Sequence, residues 1–205
     1  IHYQDCHIIS IGGNDNWKFE SQVVQKMKGC TTHTFDCTLP DGTPKRKPDR
    51  KDILFYNYCM DSHRHHDDFG REYVTYFDML QIANLQAPPV LLKIDVEGFE
   101  YDIFSHMIQQ ANNGNSSVVS LQQQQSSLSW WLPQQIQVEL HWATRMTGVS
   151  WMPRTKTTAE IALLCGMMFN GGGYLPIHQY WHPACPCCME VLYFRALCSS
   201  SSTCL

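Results

Sequence analysis

Seven short apolar or β-branched runs, each followed by a polar or helix-patterned stretch, limit this chain's folds more than any single motif does. CHIISIGG (Cys6–Gly13), TTHTFD (Thr31–Asp36), DILFYNYCM (Asp52–Met60), VLLKIDV (Val90–Val96) and QIQVELHW (Gln135–Trp142) read as strands. Two more lie in YLPIHQYW and MEVLYFRA, separated by a Pro/Cys-rich turn. Runs of this length bounded by turn residues match strands buried in a sheet. Helical spacing fills the intervals: Phe19, Val23, Val24 and Met27; Val74, Phe77, Leu80 and Ile82 within Tyr73–Leu85; Ile103, Phe104, Met107 and Ile108. Thr157–Phe169 is the most apolar helix candidate and opens on threonine caps. Strands alternating with helices predict an α/β fold. With 205 residues, 43% of them apolar, one domain over 1–198 can bury a single core. The Gln/Ser-rich stretch 109–129 reads as a polar insert and 199–205 as a disordered tail, neither expected to carry chemistry.

A net charge of −4 gives no sign of a nucleic acid or an anionic membrane as partner. The basic run KRKPDRK (Lys45–Lys51) is broken by Pro48 and Asp49 and reads as a solvated loop. No apolar stretch reaches the roughly 18 to 20 residues that span a bilayer. The chain opens IHYQDCHIIS, without Met and already inside a strand pattern. A lost N-terminus, with any targeting or anchoring segment, is the expectation. The ten cysteines lack the regular spacing of a small disulfide scaffold and are compatible with thiols, which leaves the compartment open.

In IISIGGNDNWKFE an apolar strand ends on Gly12-Gly13 just before a helix pattern. Glycines in that place let backbone approach a ligand closely. Asp36 closes the second strand, where doubly wound folds use an acid to hold ribose hydroxyls. It is equally good turn chemistry. The turn is not GxGxxG, so a nicotinamide-dependent oxidoreductase is the weaker reading.

SIGGNDNWKFE, THTFDCT, LLKIDVEGFEYDIF and QIQVELHW, in this order and spacing, resemble the methyltransferase-22 and FkbM-like branches of the class I S-adenosylmethionine-dependent methyltransferases. The late GGYLPIHQYWHPACPCCMEVLYFRA is similar to the closing strands of the methyltransferase-22 type. The resemblance implies a Rossmann-like, doubly wound seven-stranded sheet, mostly parallel with an antiparallel final strand. It implies S-adenosyl-L-methionine as cofactor and methyl transfer to an oxygen or nitrogen of a small molecule, sugar or glycan. Carried over, Ser10, Gly12 and Gly13 would line the methionine end and Asp36 would hold the ribose. Asp61 would lie near adenine, and Asp95 beside the amino group or the acceptor. The chain departs from the class pattern in having Asn14 and Asn16 in place of an acidic-Gly-x-Gly turn, and in the Gln/Ser insert. A degenerate enzyme, or a non-catalytic methyltransferase-like binding domain, therefore stays open.

Acidic residues crowd the exit of the fourth strand. Asp95 ends the strand and faces the ligand crevice; Glu97 touches acceptor or bonds local amides. Glu100 and Asp102 fall in the first turn of the next helix, where the dipole favours acids, and Glu100→Gln is expected to leave binding almost intact. In VELHW, alternation puts Glu139 and His141 on one face, opposite Val138 and Leu140. His141 there could take a proton from an acceptor hydroxyl, or simply be hydrogen-bonded at a strand end. HRHHDD (His63–Asp68) lacks ligand spacing, and HQYWHPACPCC (His178–Cys188) is one cluster without a partner knuckle, so no metal is expected at either. A local disulfide or plain thiols fit the latter better.

Overall fold

The computed structural model describes residues 6–113, 131–142, 156–181 and 188–196. Most of the expected insert, the expected tail, and His182, Cys185 and Cys187 lie outside them. Strands β1 (Cys6–Ile11), β2 (Cys30–Phe35), β3 (Ile53–Tyr56), β7 (Leu91–Ile94), β8 (Gln135–His141), β9 (Tyr174–Trp181) and β10 (Cys188–Arg195) form one sheet in the order β3-β2-β1-β7-β8-β10-β9. Its first five strands pair in parallel. Strand β10 runs antiparallel to both β8 and β9. Helices α1 (Lys18–Lys26), α2 (Tyr76–Ile82), α3 (Glu100–Asn113) and α4 (Thr158–Gly172) connect the strands.

Two boundaries differ from the sequence expectation. The predicted strand 52–60 stops at Tyr56, and β4 (Cys59–Met60) instead joins β6 (Glu72–Val74) and β5 (His65–His66) in a separate small sheet. That pairing also takes Tyr73 and Val74 out of the predicted helix. The helix starts after Thr75, whose hydroxyl accepts from the Asp78 N–H while the Asp78 carboxylate accepts from the Thr75 N–H. This reciprocal cap satisfies two otherwise orphaned helix-end donors. Thr157 and Glu160 start α4 in the same way, as the sequence indicated.

Alternation supplies the core. Leu92 and Ile94 of β7 and Ile136, Val138 and Leu140 of β8 are buried together with Ile103, Phe104 and Met107 of α3. Each such side chain contributes roughly 1.5 to 3 kcal/mol on burial. A smaller cluster around Ile8 includes Cys6 and Cys30, which occupy opposed positions in the β1–β2 register and form a disulfide across 4.5 Å between Cα atoms. A second bridge joins Cys37 to Cys59. These four cysteines are bridged, a redox state that the sequence spacing left open.

Between β1, β2 and β3 runs a partly buried polar chain centred on the buried His33: His7 Nδ1 lies 3.1 Å from His33 Nε2, and His33 Nδ1 lies 3.1 Å from the Tyr56 hydroxyl. Burial, then the neighbouring His7, lowers the His33 pKa from 6.5 to about 4. The unfolded chain therefore binds this proton more readily, and the contribution of neutral His33 is lost as pH falls from 6.5 towards 4. We expect about 2 kcal/mol less stability at pH 5 than at pH 7 from this group. Urea midpoints of wild type and His33→Asn at both pH values check it; equal losses in the two proteins would refute it.

Candidate functional site

The carboxyl ends of β1, β2 and β7 meet at the glycine turn. The Gly12 N–H donates to the Phe35 carbonyl at 3.1 Å, and the Asp95 N–H donates to the Ile11 carbonyl at 3.2 Å. Gly12 has φ +70°, and a Cβ there would fall on the Asp95 carbonyl oxygen. Close passage of β1 against β7 is thus sufficient reason for this glycine. Lys93 ties the same corner: its ammonium donates to the Gly12 carbonyl at 2.6 Å and lies 3.4 Å from Asp95 Oδ2.

Asp36 is spent on this turn. Its Oδ2 accepts from the Gly13 and Asn14 N–H groups at 3.2 and 2.8 Å, and its Oδ1 accepts from the Thr38 N–H and hydroxyl at 2.8 and 2.6 Å. A carboxylate offers about four lone-pair sites, so all are taken. Both readings of the sequence, strand-end acid and turn-forming Asp, describe the same residue. We expect Asp36→Ala to cost about 3 kcal/mol, since charge-assisted bonds contribute roughly 1.5 to 3 kcal/mol each and are not additive within one clasp. Asp36→Asn should cost nearly as much, because an amide nitrogen would then meet donors. Denaturant titration tests both; a loss below about 1 kcal/mol contradicts the clasp.

Ser10 and Asp61 sit away from open space. The Ser10 hydroxyl donates to Glu20 Oε1 of α1 at 2.7 Å, with both residues buried. The cleft lined by Gly13, Trp17, Glu20, Thr34, Asp36 and Phe55 measures about 10 Å³, room for one water. Asp61 directly follows β4 of the small sheet, where its N–H donates to the Val74 carbonyl and its carboxylate lies 3.8 Å from His65 Nδ1. A cleft of about 600 Å³ opens beside Asp36 instead, lined by Cys37, Thr38, Asn57, Tyr58, His66 and Arg71 among others.

The acids of β7 and β8 do converge. His141 is 1% exposed; its Nδ1 donates to Glu100 Oε1 at 2.9 Å, while Nε2 lies 3.4 Å from Glu97 Oε2 and 3.5 Å from Glu139 Oε1. Burial alone would lower its pKa, but the hydrogen bonds to Glu100 and Glu139 and the surrounding carboxylates raise it to about 10. The carboxylates around His141 thus favour its protonated ring, a donor and positive centre, over the proton acceptor considered from sequence. Burial, opposed by Lys93 and reinforced by Glu139, raises Asp95. Glu97 is raised by burial too, against the pull of His141. Glu97 holds φ +56° and precedes Gly98 at φ +104°; a non-glycine residue in the left-handed region stores strain that the surroundings must impose.

Glu100 corrects the sequence reading. It does open α3, as expected, yet it is fully buried and also accepts from the Gly98 N–H at 3.1 Å. Its partner His141 is 41 residues away, so no local pattern distinguishes it from Asp102, which is exposed. The usable signal was the greasy context: Glu100 falls at helical spacing with Ile103, Phe104 and Met107.

No protein-family model matches the sequence, and no curated protein matches it. The fold is similar to the crystal structure of a tryptophan-to-alanine mutant of the 16S rRNA (adenine(1408)-N(1))-methyltransferase from Catenulisporales acidiphilia. The TM-score is 0.50 at 7% identity, over 93% of this chain and 85% of that one. It is also similar to OxaC, with a TM-score of 0.42 at 9% identity, over 93% of this chain and 43% of that one. The chain has a methyltransferase-like α/β fold with a mostly parallel seven-stranded sheet.

Proposed function

We propose that the chain is an S-adenosylmethionine-dependent methyltransferase whose acceptor is an oxygen or nitrogen of a small molecule, sugar or glycan. The observation that carries this reading is the meeting of the Gly12 turn, Asp36 and Asp95 at the carboxyl ends of β1, β2 and β7. That edge is where open α/β sheets bind nucleotide-type ligands. The methyltransferase-like fold and the motif resemblance support it. The 600 Å³ cleft beginning at Cys37 and Thr38 is within the usual range for a cofactor pocket and offers Thr38, Asn57 and Tyr58 as polar partners. Contact of a ribose with Asp36 would exchange for the Thr38 hydroxyl already bonded there.

When bound, the cofactor supplies an electrophilic sulfonium methyl. The chain's own part is positioning, the larger share of catalysis in such a transfer. Lys93 fixes the Gly12 carbonyl and Asp95; the His141 imidazolium, held by Glu100, orients Glu97 and Glu139. Glu97, half-buried with raised proton affinity, takes the proton that the acceptor loses.

The tight cleft beside Gly13 and the saturated Asp36 favour a second reading, a methyltransferase-like domain that binds without turnover. Calorimetry with S-adenosylmethionine, S-adenosylhomocysteine and NAD separates the possibilities. Binding of the first two but not NAD is expected. NAD binding alone would point to an oxidoreductase, and sulfonium binding with no turnover across hydroxyl and amine acceptors to the second reading.

A further inference from the structure

We infer that Glu139, His141 and Cys188 form a site for a zinc-like divalent cation where the carboxyl end of β8 meets the amino end of β10. His141 and Cys188 are opposed partners in the antiparallel register, and Glu139 lies two residues before His141 on the same face. Their ligand atoms all lie within 4.8 Å of one another. Bond lengths of about 2.0 to 2.3 Å require the three to close by roughly an ångström. His141 and Cys188 are each 1% exposed, and Cys188 is a free thiol. Nitrogen, oxygen and sulfur donors together suit zinc and exclude the all-oxygen preference of magnesium or calcium.

Two further features point to a ligand here. Behind the ring, the fully buried Glu100 accepts from Nδ1 at 2.9 Å, which aims Nε2 at Glu139 and Glu97. A carboxylate that orients a metal-binding imidazole in this way is the usual outer shell of a histidine–metal bond. Glu97 Oε2 is itself shut off from solvent and has no hydrogen-bond donor, only the ion-pair distance of 3.4 Å to Nε2. Glu97, Glu100 and Glu139 surround one ring, Glu100 fully buried and Glu97 and Glu139 partly open to solvent. A divalent cation would displace the Nε2 proton and the Cys188 thiol proton together, leaving the net charge of the cluster unchanged while giving Glu139 a centre to coordinate. Sequence spacing did not predict this site because its ligands come from two strands that are paired only in the fold.

Three protein ligands leave a fourth position open, as in sites that act on substrate. Asp95 and Glu97 stand beside it, their ligand atoms within 4.8 Å of those of His141. Resting on the methyltransferase reading, the open position selects an acceptor that presents a hydroxyl, whose oxygen the cation would polarise. The cation site itself does not depend on that reading.

The test uses metal-stripped protein without S-adenosylmethionine, titrated with Co²⁺ and then Zn²⁺. Expected are one equivalent bound, tetrahedral visible absorption and a thiolate-to-cobalt charge-transfer band, all abolished by Zn²⁺. Cys188→Ser should lose the charge-transfer band while Cys165→Ser keeps it. Glu100→Gln, with Glu139→Gln as a second variant should Cys188→Ser misfold, should weaken binding by about 10- to 100-fold. A control is needed because Asp61, His63 and His65 also come within 4.8 Å of one another; His63→Ala/His65→Ala should leave the band intact. No bound ion, a band that survives Cys188→Ser, or binding abolished only with His63 and His65 would overturn the site. Failure of S-adenosylmethionine to bind would overturn the methyltransferase reading and leave the cation site standing.

Discussion

Gly12→Ala is expected to cost about 4 kcal/mol or more, placing it among the exceptional single substitutions. Two penalties add. The backbone sits at φ +70°, where a Cβ costs roughly 1 to 2 kcal/mol. The new methyl would also fall on the Asp95 carbonyl. Asp95 cannot retreat cheaply, because its N–H donates to the Ile11 carbonyl and its neighbour Ile94 lies in the core. Gly29→Ala is the internal control: φ is +91°, but nothing lies within 4 Å of the added Cβ. It should show the conformational penalty alone, about 1 to 2 kcal/mol. Urea denaturation of the two variants measures the difference. Equal losses would mean that β1 and β7 do not approach as described.

The second large effect is at Glu100. Removing the carboxylate by Glu100→Ala leaves a buried imidazolium short of its closest partner, and breaking such a pair typically costs about 3 to 5 kcal/mol. Glu100→Gln keeps an acceptor for the Nδ1 N–H and loses the charge, so about half that cost is expected. A double-mutant cycle with His141→Gln isolates the pair: the two losses should be strongly sub-additive. Additive losses, or a neutral Glu100→Ala, would restore the view that Glu100 merely opens a helix.

These two positions also show what a sequence can and cannot disclose. The strand runs, the Thr157 cap and the alternation of Glu139 with His141 are local patterns, and local patterns were legible. Gly12 was singled out correctly as a special backbone position, but the carbonyl that demands a glycine belongs to Asp95, 83 residues on. Asp36 was visible as an acid at a strand end; that its oxygens are filled by the turn it was expected to serve is a matter of three-dimensional closure. Cys6 and Cys30 bridge because parallel pairing opposes their positions, a register no spacing rule supplies. Asp61 followed an apparent continuous strand, and the break at Asn57–Tyr58 carried it into the small sheet instead. Burial and partners across the sheet decided each case, and both are properties of topology.

On the proposed function, an adenosine-bearing cofactor lies over the joined ends of β1, β2 and β7. A co-crystal structure with S-adenosylhomocysteine tests it most directly. Expected is the amino-acid end of the ligand against Gly12 and Asp95, with its adenosine in the cleft that starts at Cys37 and Thr38. Ligand bound at the opposite, amino-terminal edge of these strands, with the Gly12 turn untouched, would contradict it.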